Sequence, residues 1–460
     1  MSRKHLSSAH QQFLDDSEVM ASDRKLRATI AYNVSQYEKA FARGKEQFAN
    51  LELARRRAAQ RRHQVIERLE DHLKAFEHNF TKRGGKVIWA GDMHEARRAI
   101  LEIFDYHYVR RVVKSKSMVS EEIGLNDFLE KNGIECLETD FGEYIVQLSG
   151  ERPYHIVTPA MHLSKKDVAA IFHKKFGLSE EAEPEDIMAF VREGHRKKFR
   201  EAQAGITGAN FLVSGTGSVA ITENEGNALL TMTYPKIHIV IAGIEKVLSN
   251  VEDLELFWPL LATHGTGQNM TAYNTLVNGP RASDEKDGPD QMIVILLDNG
   301  RSRLMAEIPQ RRSLACIRCG ACLNVCPVYR HIGGHAYGTV YSGPIGAVIS
   351  PHLSGQFREY QHLSFASSLC GKCTEVCPVG IDLHHQLLHN RRQAVRMGIP
   401  GRAERYGMKI YKMVMSKRRW LDKPSPTVKN FVARFFFGKS WGKQRCMPKI
   451  VGRSPVNSER

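Results

Sequence analysis

Several familiar catalytic signatures are missing from this 460-residue chain. It has no GxxxxGKS or GxxxxGKT run, so no phosphate loop is expected. It has no GxSxG elbow and no HExxH pair, which sets aside two large hydrolase classes. No stretch reaches the roughly 18 apolar residues that a spanning helix needs. The first residues, MSRKHLSSAHQQFLDDSEV, hold no apolar core of signal-peptide length, so no export is expected. Cysteine is scarce outside two clusters: only Cys136 and Cys446 remain, too few for a disulfide framework. A reducing compartment fits, and the expected location is cytoplasmic.

Hydrophobic content of 42% and charged content of 25% are those of a globular chain, long enough for two or three domains. The net charge of +16 is unevenly placed. Residues 383–460 hold 19 Lys/Arg against 3 Asp/Glu, so the tail carries the whole excess and the body is neutral. Such a tail is attracted to acidic proteins, anionic lipid or nucleic acid.

Residues 1–22 are polar and are expected to be loosely ordered. From about 24 to 82 the pattern is helical, with Ile66, Leu69, Leu73, Phe76 and Phe80 forming one apolar stripe. Arg55, Arg56, Arg57, Arg61 and Arg62 lack aromatic interleaving and read as a solvated face, with no nucleic-acid role. Residues 84–305 alternate between strand patterns at 86–91, 110–115, 135–140 and 155–160 and helical patterns at 93–107, 119–132 and 163–175. That rhythm predicts an α/β fold with a parallel sheet. The segments NFLVSG, SVAITEN, NALLTM and IHIVIAG (210–243) suggest local antiparallel hairpins, and QMIVILLDNG (291–300) a last strand. The expected domains are a polar, helical N-terminal segment (1–82), an α/β domain (83–305), a mainly helical ferredoxin-type domain (306–383) and a basic helical extension (384–460).

The chemistry lies in the third of these. The first cysteine run is Cys316-x2-Cys319-x2-Cys322-x3-Cys326-Pro327, and the second is Cys370-x2-Cys373-x3-Cys377-Pro378. Soft thiolates at these spacings suit iron and sulfide, and in two-cluster ferredoxins the last cysteine of each run crosses to the other cluster. Cys316, Cys319, Cys322 and Cys377 are therefore expected to hold one cluster, and Cys326, Cys370 and Cys373 the second. Zinc is the alternative metal, but four cysteines in one short run leave too little slack for a simple tetrahedral site. Two 4Fe-4S clusters are the expected cofactors. The second run has Ser367 where a fourth cysteine would stand. Three outcomes stand open there: a three-iron cluster, a four-iron cluster with an oxygen ligand such as Ser367 or Ser368, or a four-iron cluster with one open iron. His331, His335, His384 and His385 flank the runs and read as solvated or supporting residues. Cys136 reads as a core residue.

Gly215-Thr-Gly217-Ser-Val-Ala220 matches a dinucleotide fingerprint, but strand and turn follow it where a helix is required, so nucleotide binding is not expected. The tail, with Trp420, Phe431, Phe435, Phe436, Phe437 and Trp441, reads as a docking arm that folds over the cluster domain or onto a partner subunit; peripheral contact with an anionic membrane is the alternative.

With both runs behind an α/β domain, the chain resembles the lactate utilization protein B family. The resemblance is carried by SEEIGLNDFLE (120–130), ETDFGEYIVQL (138–148), HIVTPAMH (155–162), GITGANFLVSGTGS (205–218), TENEGN (222–227), HIVIAGIEKV (238–247), CIRCGACLNVCPVY (316–329) and SLCGKCTEVCPVGI (368–381). It implies a sheet domain related to sugar-phosphate isomerases and CoA transferases, with the seven cysteines above as cluster ligands. It also implies single-electron relay in the oxidation of L-lactate to pyruvate, as a subunit working with two sister lactate-utilization proteins. Two alternatives remain: a catalytic subunit binding the hydroxy acid through Glu121, Glu143, Asn210, Glu223, Asn224, Glu225 and Asn227, or a scaffold.

Overall fold

The computed structural model describes residues 6–417, 420, 423–441 and 446–451. One compact unit runs from Ser7 to Arg392, and a second comprises the described residues from Gln393 onward together with Leu6. In the first unit the centre is a six-stranded, wholly parallel sheet. Its strands are β1 (Lys86–Ala90), β2 (Arg111–Lys114), β3 (Glu135–Glu138), β4 (Ala204–Thr207), β7 (Ile237–Gly243) and β10 (Gln291–Leu297), in the order β1-β10-β7-β4-β2-β3. Every residue of β7 is buried, as a strand covered on both faces by other elements must be. A second, four-stranded sheet joins β8 (Val247–Leu248), β5 (Phe211–Val213), β6 (Ser218–Glu223) and β9 (Tyr273–Val277), in that order.

The expected parallel α/β core is therefore present, with some local differences. IHIVIAG is not part of a hairpin group; it is the central strand β7, paired in parallel with β10 and β4. NALLTM is helix, Asn227–Thr233, because Gly226 turns with φ +74° and the Glu223 carboxylate accepts the Ala228 and Leu229 N–H groups at 2.9 and 2.8 Å. HIVTPA is neither strand nor helix: His155 Nδ1 accepts the Val157 and Thr158 N–H groups, which takes those donors away from a ladder. Gly215–Gly217 is the turn between antiparallel β5 and β6, with no helix after it. A Cβ on Gly217 would lie 2.4 Å from the Phe80 backbone nitrogen, so close packing explains that glycine.

Residues 8–22 are also not loose. Ser8–Ser22 is a helix whose start is tied down by Ser7 Oγ donating to the Glu359 carbonyl and by the Ala9 N–H donating to the Glu359 carboxylate. Phe13 stands edge-on to Tyr337 and His10 stacks on His362. Helices Arg24–Gly44, Leu51–Glu67 and Leu69–Thr81 follow. The stripe Ile66, Leu69, Leu73, Phe76 and Phe80 is buried, and each phenylalanine adds roughly 2–3 kcal/mol by leaving water.

The second unit contains helix Arg402–Met415, which exposes Tyr406, Ile410 and Met413 at helical spacing among basic residues. Helix Pro426–Trp441 exposes Phe431 and Phe435, and Trp420 is also exposed. The side chains of Phe436, Phe437 and Trp441 lie outside the described residues. Among the described residues no helix is long and apolar enough to cross a membrane.

Candidate iron–sulfur centre and adjoining cavity

Each cysteine run folds into the same local form. Arg318 and Leu369 take left-handed backbone angles (φ 61° and 56°), Gly320 and Gly371 follow with φ 77° and 82°, and short helices Ala321–Asn324 and Lys372–Glu375 come next. Cys326 and Cys377 then precede Pro327 and Pro378, which stop the turn from continuing.

The thiols sort into two groups. Burial pushes Cys319 and Cys322 upward from the ordinary thiol value, and charge on Cys316 and Cys377 pushes them further. Burial likewise raises Cys377 to about 11, with Cys316 adding to the shift. Cys373 rises to about 12 through burial and then through Cys326 and Cys370. Cys377 thus lies within electrostatic reach of Cys316, Cys319 and Cys322, and Cys326 within reach of Cys370 and Cys373. Cys319, Cys326, Cys373 and Cys377 are buried, whereas Cys370 is exposed. Backbone N–H groups already point at sulfur: Arg318 donates to Cys316 Sγ at 3.4 Å and Ile381 to Cys377 Sγ at 3.3 Å. Neighbouring thiols raised by burial, with backbone donors serving two thiols of the first set, fit an iron–sulfur group that would hold them as thiolates.

The four neighbouring histidines are engaged elsewhere. His331 faces the Pro327 carbonyl, His335 the Arg152 carbonyl, His384 the Thr374 hydroxyl and His385 the Asp382 carboxylate. Cys136 is a buried residue of β3, and Cys446 is exposed.

Arginines that read as solvated frame the centre instead. Arg62 is buried, and its guanidinium donates to the carbonyls of Glu245, Val247, Leu314 and Ala315. Arg55 donates to the Cys377 carbonyl at 2.9 Å and to the Glu375 carbonyl. One helix therefore clamps both cysteine runs. Arg301 joins the sheet domain to this region: it pairs with Glu122 at 2.8 Å and Glu245 at 2.5 Å, and Arg318 meets the other oxygen of Glu245 at 3.4 Å. Although burial opposes its charge, Arg301 and then Arg318 hold the Glu245 carboxyl down at about 2. The Arg318 guanidinium lies over the Tyr341 ring, 4.4 Å from its centroid.

A cavity of about 500 Å³ opens beside the first run, lined by Ile317 and Arg318 on one side and by the segments after β2, β3 and β4 on the other. Ligand crevices in parallel sheets form at such carboxyl ends. Lys116, Asp140, Asn210, Glu223, Asn224, Glu225, Asn227 and Lys246 also line it. Burial works against the Lys116 charge, but Asp140, Glu143 and Glu225 outweigh it and raise its pKa. Burial within the wall and then the Asp140 charge push Glu225 up to about 7. Arg318 Nη1 is buried with no hydrogen-bond partner among the described residues. Five of the seven polar candidates named from sequence thus share this cavity. Glu121 and Glu143 do not line it; they gather with Glu138 around Lys114, whose Nζ lies 2.7 Å from Glu138 and 3.5 Å from Glu121. Arg55, Arg62, Lys116, Lys246 and Arg318 were not singled out from sequence as site residues; Arg318 had a signal in its place between two ligand-type cysteines.

Residues 73–297 match the family model described as LUD domain, and residues 312–381 match the 4Fe-4S dicluster domain. Lactate utilization protein B of Bacillus cytotoxicus is 44% identical over 369 residues, covering 80% of this chain and 77% of that protein. The protein of that name from Bacillus cereus is 43% identical over the same shares. A solved DUF162 family protein from Deinococcus radiodurans is 15% identical, with a TM-score of 0.28, covering 50% of this chain and 98% of its own. Sequence identity of this extent, with both domain models matched, shows that the chain belongs to the lactate utilization protein B family.

Proposed function

We propose that this chain is an iron–sulfur electron-transfer protein acting in the oxidation of L-lactate to pyruvate, in the cytoplasm, with two sister lactate-utilization proteins as partners. The observation that carries the reading is the nearness of Cys377 to the thiols of the first run and of Cys326 to Cys370 and Cys373, felt in the thiols' mutual charge effects. Cys316, Cys319, Cys322 and Cys377 would hold one 4Fe-4S cluster, and Cys326, Cys370 and Cys373 the second. When bound, such clusters store and pass single electrons. The chain's own residues give the centre two ends. The first set adjoins the cavity through Ile317 and Arg318, while the second reaches the surface at exposed Cys370. Arg55 and Arg62 hold the two runs in register, and fixed positive charge at Arg318 favours a more reduced state nearby.

Anaerobically purified protein is expected to hold iron and acid-labile sulfide and to show electron paramagnetic resonance signals on reduction with dithionite. Cys319→Ala and Cys373→Ala should each remove one set of signals. Zinc or no metal at the thiols, with a silent spectrum, would end this reading.

The cavity favours a second reading, in which the sheet domain itself binds the hydroxy acid. Lys116, Lys246 and Arg318 offer positive charge to a carboxylate, and Asn210, Asn224 and Asn227 offer amides to a hydroxyl. Calorimetry with L-lactate should then show affinity falling as pH rises through about 7, because ionised Glu225 repels the anion. Glu225→Gln should flatten that dependence, and Lys116→Met should weaken binding by roughly tenfold, the worth of one charge-assisted contact. Absence of lactate heat at any pH would leave the protein as a relay alone.

A further inference from the structure

We propose that Ser367 is the fourth protein ligand of the second iron–sulfur site, binding iron through Oγ. The proposal rests on the cluster reading above and selects one of the three outcomes the sequence leaves open.

Aligned by their Cys-Pro ends, the two runs place Ser367 opposite Cys316, Leu369 opposite Arg318, Cys370 opposite Cys319 and Cys373 opposite Cys322. The backbone repeats with the sequence. Among the described residues four non-glycine residues have positive φ, and two of them are Arg318 at 61° and Leu369 at 56°, at matching positions. Such angles persist only where the surrounding structure imposes them. Their shared consequence is visible in one hydrogen bond. In the first run the Arg318 N–H donates to Cys316 Sγ at 3.4 Å; in the second the Leu369 N–H donates to Ser367 Oγ at 3.1 Å. The serine oxygen occupies the place of a ligand sulfur and receives the same backbone donor. Ser368, the other candidate, is exposed and has no counterpart to this bond among the described hydrogen bonds.

The loop is also fastened from behind. Arg391 donates to the carbonyls of Ser367 and Ser364, both at 2.9 Å, and its guanidinium lies over Phe365. This fixes the Ser367 backbone, and the nearby positive charge favours an anionic oxygen. Binding replaces the Oγ–H bond by an iron–oxygen bond; the proton passes to water and no electron moves. An oxygen is a harder donor than sulfur, so it favours the more oxidised iron.

The full chain, purified without oxygen, tests the assignment through iron and sulfide content, Mössbauer spectra and electron paramagnetic resonance. Wild type should hold about eight iron atoms in two cubanes, with one iron of the second distinguished as oxygen-bound. Ser367→Ala should fall to about seven iron atoms and gain an oxidised-state three-iron signal. Ser367→Cys should keep the full iron content, lose the distinct iron, and raise that site's potential. Ser368→Ala should match wild type. Identical iron content and spectra in wild type and Ser367→Ala would overturn the assignment while leaving the two-cluster reading intact. A wild type without iron would overturn both.

Discussion

Arg62 shows how one side chain holds distant pieces of chain together. Its guanidinium serves four carbonyls drawn from residues 245–247 and 314–315, so its loss leaves several buried acceptors without a donor. Arg62→Leu is expected to cost about 3 kcal/mol or more and to lower the thermal midpoint by several degrees, read by scanning calorimetry; an unchanged midpoint would refute the clamp. The sequence hid this because five arginines on one helix are usually solvated, and burial here depends on partners some 180 to 250 positions away. The cysteines were legible for the opposite reason: ligand spacing is written into consecutive residues. His238, fully buried on β7 and bonded to Thr207 Oγ1, is held at a pKa of about 3 by burial. The unfolded chain takes up a proton below about 6.5 that the folded chain refuses, so stability present above that pH is lost on acidification, by about 2 kcal/mol at pH 5. The fall of the thermal midpoint between pH 7 and 5 should be smaller in His238→Gln, and equal falls would count against this account.

Elements with a clear period or an unbroken apolar run read correctly from sequence: β1, β2, β3, β10 and the helix Met93–Tyr106 all fall where alternation placed them. Elements set by contacts did not. Helix Ser8–Ser22 looks loose because it is polar, yet Phe13 and His10 seat it on Tyr337 and His362. Removing residues 1–22 should therefore bare that face of the cysteine region and speed bleaching of the anaerobic protein on exposure to air; an unchanged bleaching rate would argue against a covering role. Residues 155–160 have strand-like composition, but a histidine accepting two local N–H groups outcompetes the sheet. Helix Asn227–Thr233 begins where Glu223 accepts two N–H groups, a tertiary cap with no simple spacing rule.

At the scale of the molecule, neutral body and basic tail suit different tasks. The region from 383 carries 19 Lys/Arg, and helix Arg402–Met415 shows basic residues beside exposed Tyr406, Ile410 and Met413. If it docks the sister proteins, truncation after Arg392 should abolish co-purification while leaving iron content unchanged, and added salt should weaken the intact complex. The interleaved grouping of sulfurs has a further consequence. On the proposed assignment Cys377 joins the first run and Cys326 joins the second, so neither set closes from a single stretch of polypeptide. Maturation of either centre has to wait for synthesis to pass the later Cys-Pro pair, and a break between residues 327 and 369 that lets the halves separate forfeits both centres at once.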